Sequence, residues 1–312
     1  MSSHPRAELA VPELSVPVVA GGLCVGVIAV STSALLVRLA EAPALAISFW
    51  RCALGALCLA PFAWRAKRGR PTLSRSELGR LALSGVALAL HFALWLASLS
   101  FTTVASSVTL VAMAPLFVGM GAAVFLNEPP TARTWRGIIL ALVGAVAIAG
   151  ADLVGAPLGG RALLGDALAF GGAAAVSGYL LIGRSVRRRL PVVVYGAVVY
   201  GIAAVVLLGV CLVTRTDLGL GSGTYDAGTW WAIAGIVVGP QLLGHTLFNT
   251  LLSTVTATVV AVTVLAEPVV ASLLAFVVLG ELPQPLFWVG APLVLAGVGV
   301  AAARSRPEPA PH

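Results

Sequence analysis

Charge is what this sequence has least of. Only 10% of its 312 residues are charged, against about 25% in a soluble domain. That shortage, with 59% hydrophobic residues, excludes a cytosolic enzyme and a disordered chain, which needs high charge and little apolar surface. Lysine occurs once, as Lys67, and Arg68 follows it. A Walker A loop needs Gly-Lys-Ser/Thr to hold phosphate and magnesium, so ATP hydrolysis through a P-loop is excluded. Cysteine is scarce too. Cys24, Cys52, Cys58 and Cys211 all lie in apolar runs and form no C-x-x-C pair. That spacing excludes a disulfide scaffold, a zinc site and a redox motif, and predicts buried, inert thiols. No His-Glu-x-x-His and no Gly-x-Ser-x-Gly occurs in the apolar runs, so an intramembrane enzyme lacks its nucleophile, base or metal ligands.

Long apolar runs are what the chain does have. Mean hydropathy is +1.01, and a chain this apolar dissolves in lipid. Ten spans are predicted, at 17–38, 43–63, 79–100, 102–126, 132–151, 162–183, 191–213, 228–252, 255–279 and 284–303. The first is longer than the apolar core of an ordinary signal peptide and reads as a retained span. Thr102-Thr103 and Ser253-Thr254 mark tight helical hairpins. A β-barrel would alternate over segments of about ten residues, and 255–279 does not alternate.

Orientation follows from the basic residues, which concentrate in cytoplasmic loops. With the N-terminus inside, fifteen of them fall in inside segments, among them Arg65, Arg133, Arg184 and Arg187. Three, Arg38, Arg161 and Arg215, fall outside, and Arg51 lies within a span. Both termini are therefore expected in the cytoplasm. The charge of +7 is topological, and no nucleic-acid partner is implied.

The chain also repeats itself. At an offset of 153, residues 113–150 lie over 266–303 without a gap. Pro115 meets Pro268, Glu128 meets Glu281, Trp135 meets Trp288, Gly137 meets Gly290 and Gly144 meets Gly297. The first spans match at offset 146, Ser31 over Ser177 and Arg38 over Arg184. Five spans per copy is an odd number, so the second copy runs inverted. The expected fold is an all-α integral membrane protein of ten transmembrane helices in two inverted five-helix repeats. The expected parts are a cytoplasmic tail (1–16), the first repeat (17–151), a connecting loop (152–161), the second repeat (162–303) and a cytoplasmic tail (304–312). Inverted repeats mark secondary transporters, with substrate near the midplane where the halves meet.

Three segments carry a family resemblance: FWRCALGALCLAPF in span 2, APLFVGMGAAVFLNEPPT in span 4 and LAEPVVASLLAFVVLGELP in span 9. With the double repeat they resemble the EamA-type branch of the drug/metabolite transporter superfamily, over about 18–303. The resemblance implies export of a small metabolite, often an amino acid, from a bacterium. The heavy Ala, Gly and Arg usage agrees with a GC-rich bacterial genome. The resemblance also implies that a Glu-Pro pair in the second repeat is common whatever the substrate.

Polar groups inside spans are costly and call for a reason. Glu267 stands mid-span before Pro268. It reads either as a cavity carboxylate for a substrate amine or a proton, or as a hydrogen-bonded group securing a helix break, since proline cannot donate to the preceding turn. Spans 4 and 9 are expected to break near Pro115 and Pro268. Arg51 either attracts a substrate anion, snorkels outward or pairs with Glu41. Gln241, His245 and Asn249 lie at i, i+4, i+8 along one stripe of span 8, to line a wet cavity or to bond between helices. His91, Trp95 and Ser98 lie at i, i+4, i+7 on span 3; His91 is a titratable cavity group or a satisfied packing residue, and Trp95 stacks on an aromatic substrate or simply packs, with Phe248 as its repeat partner. Tyr179, Ser31, Ser33 and Ser177 are weaker candidates. Gly85, Ala89, Ala93 and Ala97 on span 3, and Ala141, Ala145 and Ala149 on span 5, predict close helix packing. Glu128 and Glu281 read as solvated turn residues.

The substrate-binding set is therefore Gln241, His245, Asn249, Trp95, His91, Glu267, Arg51 and Tyr179. The expected partners are a small-molecule substrate and the lipid bilayer of the plasma membrane, in a monomer or homodimer. No cofactor is implied, and proton coupling stays open. A lipid or lipid-carrier flippase of the same fold is the alternative.

Overall fold

The computed structural model describes residues 15–68, 73–102, 104–153, 160–187, 189–221, 224–280, 282–283 and 285–303. Most of both tails, the centre of the connecting loop, Thr103 and Glu281 lie outside the described residues. Those described form helices and connecting turns, with no strand. In chain order the helices are α1 (Val16–Leu39), α2 (Ala44–Lys67), α3 (Arg75–Ser98), α4 (Val104–Val111), α5 (Ala114–Phe125), α6 (Ala132–Leu153), α7 (Gly160–Arg187) and α8 (Val192–Val213). Then follow α9 (Ala227–Ile236), a π-helical stretch (Val237–His245), α10 (Thr246–Leu251), α11 (Ala257–Val264), α12 (Glu267–Leu279) and α13 (Phe287–Ala302).

Among the described residues, eight segments are long and apolar enough to cross a membrane: Val16–Leu39, Ala44–Lys67, Arg75–Ser98, Ser106–Phe125, Gly160–Arg187, Val192–Val213, Ala227–Leu251 and Ala257–Val278. Phe287–Ala302 is a shorter apolar helix. It packs along α6, the segment predicted as the fifth span. The solvent rule for side chains is reversed. Large apolar residues such as Leu57, Val205 and Val277 are exposed, while Ser31, Ser48, Arg51, Ser84, Gln241 and Asn249 are buried. Lipid accepts the first group, and only the interior can pair the second. The cysteines divide differently from the expectation. Cys52 and Cys211 are buried, but Cys24 and Cys58 are exposed, because an apolar thiol is as comfortable against lipid as in a core.

Local chemistry sets the helix ends. α3 begins at Arg75, four residues before the predicted start, because Ser74 and Glu77 form a capping box. The Glu77 amide donates to Ser74 Oγ at 3.2 Å, and the Ser74 amide to Glu77 Oε2 at 2.8 Å. Asp226 caps α9 by accepting the Thr229 amide at 2.7 Å, which holds its carboxyl below the usual range.

Both predicted breaks are present. α4 stops at Val111 and α5 starts at Ala114; α11 stops at Val264 and α12 starts at Glu267. Pro115 and Pro268 each sit in the first turn of the new helix, where a missing N–H costs nothing. Tightened turns bridge both gaps. The amides of Met113 and Ala266 donate three residues back, to Leu110 and Thr263, each at 3.1 Å. One serine leans on each break. Ser177 Oγ contacts the Ala114 carbonyl at 3.0 Å, and Ser31 Oγ contacts that of Glu267 at 3.4 Å. Each serine also donates to its own helix one turn back, to Ala173 and Val27. Pro240 leaves a different mark. It cannot continue the α ladder, and Val237–His245 widens into a π-helix.

Three close pairings build the bundle: α2 on α8, α3 on α7, and α6 on α13. In the last, Gly137 faces Gly297 and Gly144 faces Gly290, with a built Cβ on Gly137 or Gly144 falling 2.6 Å from the opposing carbonyl. Only residues without side chains permit backbones to approach so closely. The predicted small faces are used in this way. Gly85 meets Ile202 and the Val199 carbonyl of α8, and Ala141 and Ala145 are buried. The side chain of Ala149 lies outside the described residues.

Candidate functional site

A cavity lies where the two helix breaks meet. Ala112, Ala114 and Pro115 line it from one break, and Val264, Leu265, Glu267 and Pro268 from the other. Its wall is mostly apolar, with a few polar groups drawn from several helices.

Arg51 enters from α2. It is 2% exposed, which overturns both the snorkelling and the Glu41 readings. Its Nε donates to Gln241 Oε1 at 2.9 Å, and its guanidinium lies 4.1 Å from the centre of the Phe92 ring. The remaining guanidinium nitrogens make no hydrogen bond among the described residues. Burial of a cation needs such partners. Gln241 and the ring supply them on one side and leave the other side facing the cavity.

His91, Phe92 and Trp95 come from α3. His91 Nδ1 lies 3.0 Å from the Gly172 carbonyl, so it is the donor, and its other nitrogen is left for a ligand. Its ring stacks on Trp95 at 5.6 Å and 15°. Trp95 Nε1 and Ser33 Oγ are buried cavity-lining groups with no partner among the described residues. Unpaired buried donors mark places where a ligand or water completes the bonding. Tyr179 and His245 also line the cavity, with His245 edge-on to Phe92 at 5.7 Å. Phe248, the repeat partner of Trp95, is a further wall residue.

Glu267 opens α12 and borders the cavity. Its backbone carbonyl contacts Ser31, but its carboxylate makes no hydrogen bond among the described residues. The break is therefore not secured by this side chain. No direct ion pair joins Glu267 to Arg51, so the cavity holds one separated carboxylate and one guanidinium.

The span 8 stripe divides. His245 lines the cavity, while Gln241 and Asn249 are fully buried behind the wall. Gln241 is spent on Arg51, and Asn249 Nδ2 donates to the Tyr179 hydroxyl. The periodicity assumed an α-helix throughout, and the π stretch at Pro240 changes the pitch between these residues. Both act on the cavity through the groups they hold. Gln241→Leu is thus expected to cost about 1–3 kcal/mol of stability, because it strands Arg51 Nε. Thermal unfolding in detergent measures this, and an unchanged midpoint would show that Arg51 finds another acceptor.

Sequence reasoning missed two polar clusters. Asp166, a second carboxylate within an apolar span, accepts from Thr102 Oγ1 at 2.8 Å and Ser106 Oγ at 2.6 Å. It ties α7 to Thr102 in the turn after α3 and to Ser106 in α4. Glu128 is not a solvated turn residue. Its carboxylate pairs with Arg184 at 2.9 Å, and its side chain is 16% exposed. Asp166 carries the signal that marked Glu267, a charge inside a predicted span; Glu128 has none, because its partner is distant along the chain.

Comparison with known proteins completes the picture. Residues 18–150 and 163–303 match the sequence model of the EamA-like transporter family. Among solved structures 29 chains match. One crystal structure of a protein aligns with a TM-score of 0.75 at 19% identity, covering 92% of this chain and 97% of that one. At such identity the likeness concerns the fold alone. No curated protein matches.

Proposed function

The chain belongs to the EamA-like transporter family, and from that premise we propose that it is a secondary transporter exporting an amino acid or related small zwitterion by alternating access. In this reading ten membrane helices form two inverted repeats, 17–151 and 162–303, in the plasma membrane with both termini cytoplasmic. The observation that carries it is the cavity between the two helix breaks, with Arg51 and Glu267 in one mostly apolar wall. The Arg51 guanidinium receives the substrate carboxylate, Glu267 its ammonium group, and Trp95 and His91 its side chain. The N-terminus of α5 borders the same space and favours the anionic end.

Paired contacts support the inverted arrangement. Ser177 leans on Ala114 as Ser31 leans on Glu267. Gly137 opposes Gly297 as Gly144 opposes Gly290. A two-fold axis in the membrane plane would relate each such pair, and two copies of one asymmetric shape can exchange conformations to open the cavity alternately to either side.

The test is reconstitution into liposomes with a panel of labelled amino acids, each with and without a pH gradient. At least one is expected to cross faster than in protein-free vesicles, and a response to the gradient would assign proton coupling. Movement of a fluorescent lipid analogue without any amino acid would favour a flippase of the same fold. Cysteines at positions 157 and 69, both outside the described residues, check the orientation. An impermeant reagent should reach the first from outside and not the second.

A further inference from the structure

Buried cationic contacts tie the ends of α5, α7 and α10 together. Arg184, 6% exposed, donates from Nε and Nη2 to the Glu128 carboxylate at 3.1 and 2.9 Å, and from Nη1 to the Leu252 carbonyl at 2.8 Å. One turn further, Arg187 is 4% exposed and donates from Nε to the Asn249 carbonyl at 2.8 Å. These carbonyls lie at the C-terminal end of α10, where the helix has no amides left to offer and carries its negative pole. Glu128 is delivered by the turn that ends α5. Asn127 is left-handed at φ 53°, and the Glu128 amide returns to the Ala122 carbonyl at 3.0 Å, which folds the chain back over the end of α5.

Two features distinguish this cluster from a static brace. It joins the halves, since Glu128 belongs to the first repeat and both arginines to the second. It is also incompletely satisfied. Arg187 Nη1 is buried with no hydrogen-bond partner among the described residues, which offsets part of what the closed arrangement gains.

We propose that Glu128, Arg184 and Arg187 form the cytoplasmic latch of the transport cycle, closed in this structure and opened whenever the cavity faces the cytoplasm. The inference rests on the transporter reading and on the orientation set by the basic loops. Parting the halves at this end breaks the Arg184–Glu128 pair and both carbonyl contacts together, giving an element with two discrete states. Its strength sets how often the cavity opens inward.

The experiment places a cysteine at Val111, a cavity-wall residue, in a background lacking the four native cysteines. Labelling by an impermeant maleimide is followed from each side of membrane vesicles. Glu128→Gln should raise the cytoplasmic rate by about tenfold, since a conformer populated at about 1–10% has that much room to rise. Glu128→Asp, which keeps the charge and shortens the reach, should raise it less. Unchanged rates in both folded variants would overturn the latch. If neither folds, a second arm reads the same idea. Glu128→Cys with Arg184→Cys, joined by a short bismaleimide, should hold the Val111 cysteine inaccessible from the cytoplasm, and cytoplasmic labelling that persists would overturn it. Labelling needs no substrate, so the latch can fail while the liposome assay succeeds, and the reverse.

Discussion

Glu267→Gln is expected to lower transport by about tenfold to a hundredfold, the range spanned by loss of one charge-assisted hydrogen bond. Folding should be nearly untouched, with a melting temperature within about 4 °C of the wild type, equivalent to roughly 1 kcal/mol. The reason lies in what the side chain does. Its carboxylate contacts no donor among the described residues, and the break it begins is braced through its backbone carbonyl by Ser31. Glutamine has the same shape and leaves that carbonyl in place. What it removes, on the proposed reading, is the charge that faces a substrate ammonium group or carries a proton. Transport into liposomes and thermal unfolding in detergent, measured on one preparation, separate the outcomes. Loss of the folded protein would make Glu267 structural after all. Unchanged transport would remove the carboxylate from the mechanism and leave recognition to Arg51 and its neighbours.

Two glycines on one helix should respond in opposite ways. Gly297→Ala is expected to destabilise the protein by about 3 kcal/mol, the upper end of what overpacking costs. Its new methyl would sit 2.6 Å from the Gly137 carbonyl and as closely against the Ala141 backbone. Backbone cannot rotate aside as a side chain can, so α6 and α13 would have to separate along their contact. Gly299→Ala, two residues on, has nothing within 4 Å of the built Cβ. It should be neutral or stabilise by roughly 0.5–1 kcal/mol, because alanine gives up less entropy in a helix than glycine. Comparing the melting temperatures of the two variants tests whether backbone contact holds this pair. Equal effects would mean that it does not.

Several features were legible in the residues because they are local or periodic. Pro115 and Pro268 end the helices before them through their own missing amides, wherever the rest of the chain lies. Gly137 and Gly290, or Gly144 and Gly297, stand out because the chain is compared with itself. Trp95 and Phe248, and Glu267 beside its proline, were visible as costly or bulky groups in apolar runs. All three line the cavity. The span 8 stripe was legible only in part. Its i, i+4 spacing assumed one pitch, and Pro240 changes that pitch within the stripe.

What the sequence by itself determined is the class of object: a lipid-soluble helical chain, doubled within itself, with breaks at two prolines and polar groups that must find an interior. Hydrophobicity and proline geometry act on neighbouring residues, so composition and spacing suffice. Only the tertiary structure decided which polar group meets which. It gave Gln241 to Arg51 and Asn249 to Tyr179, behind the wall, and left the Glu267 carboxylate facing the cavity. It also turned Glu128 from a loop residue into the partner of Arg184, 56 positions away. A buried charge takes whatever opposite charge or dipole the packing brings within about 3 Å, and that choice is written in no single stretch of chain.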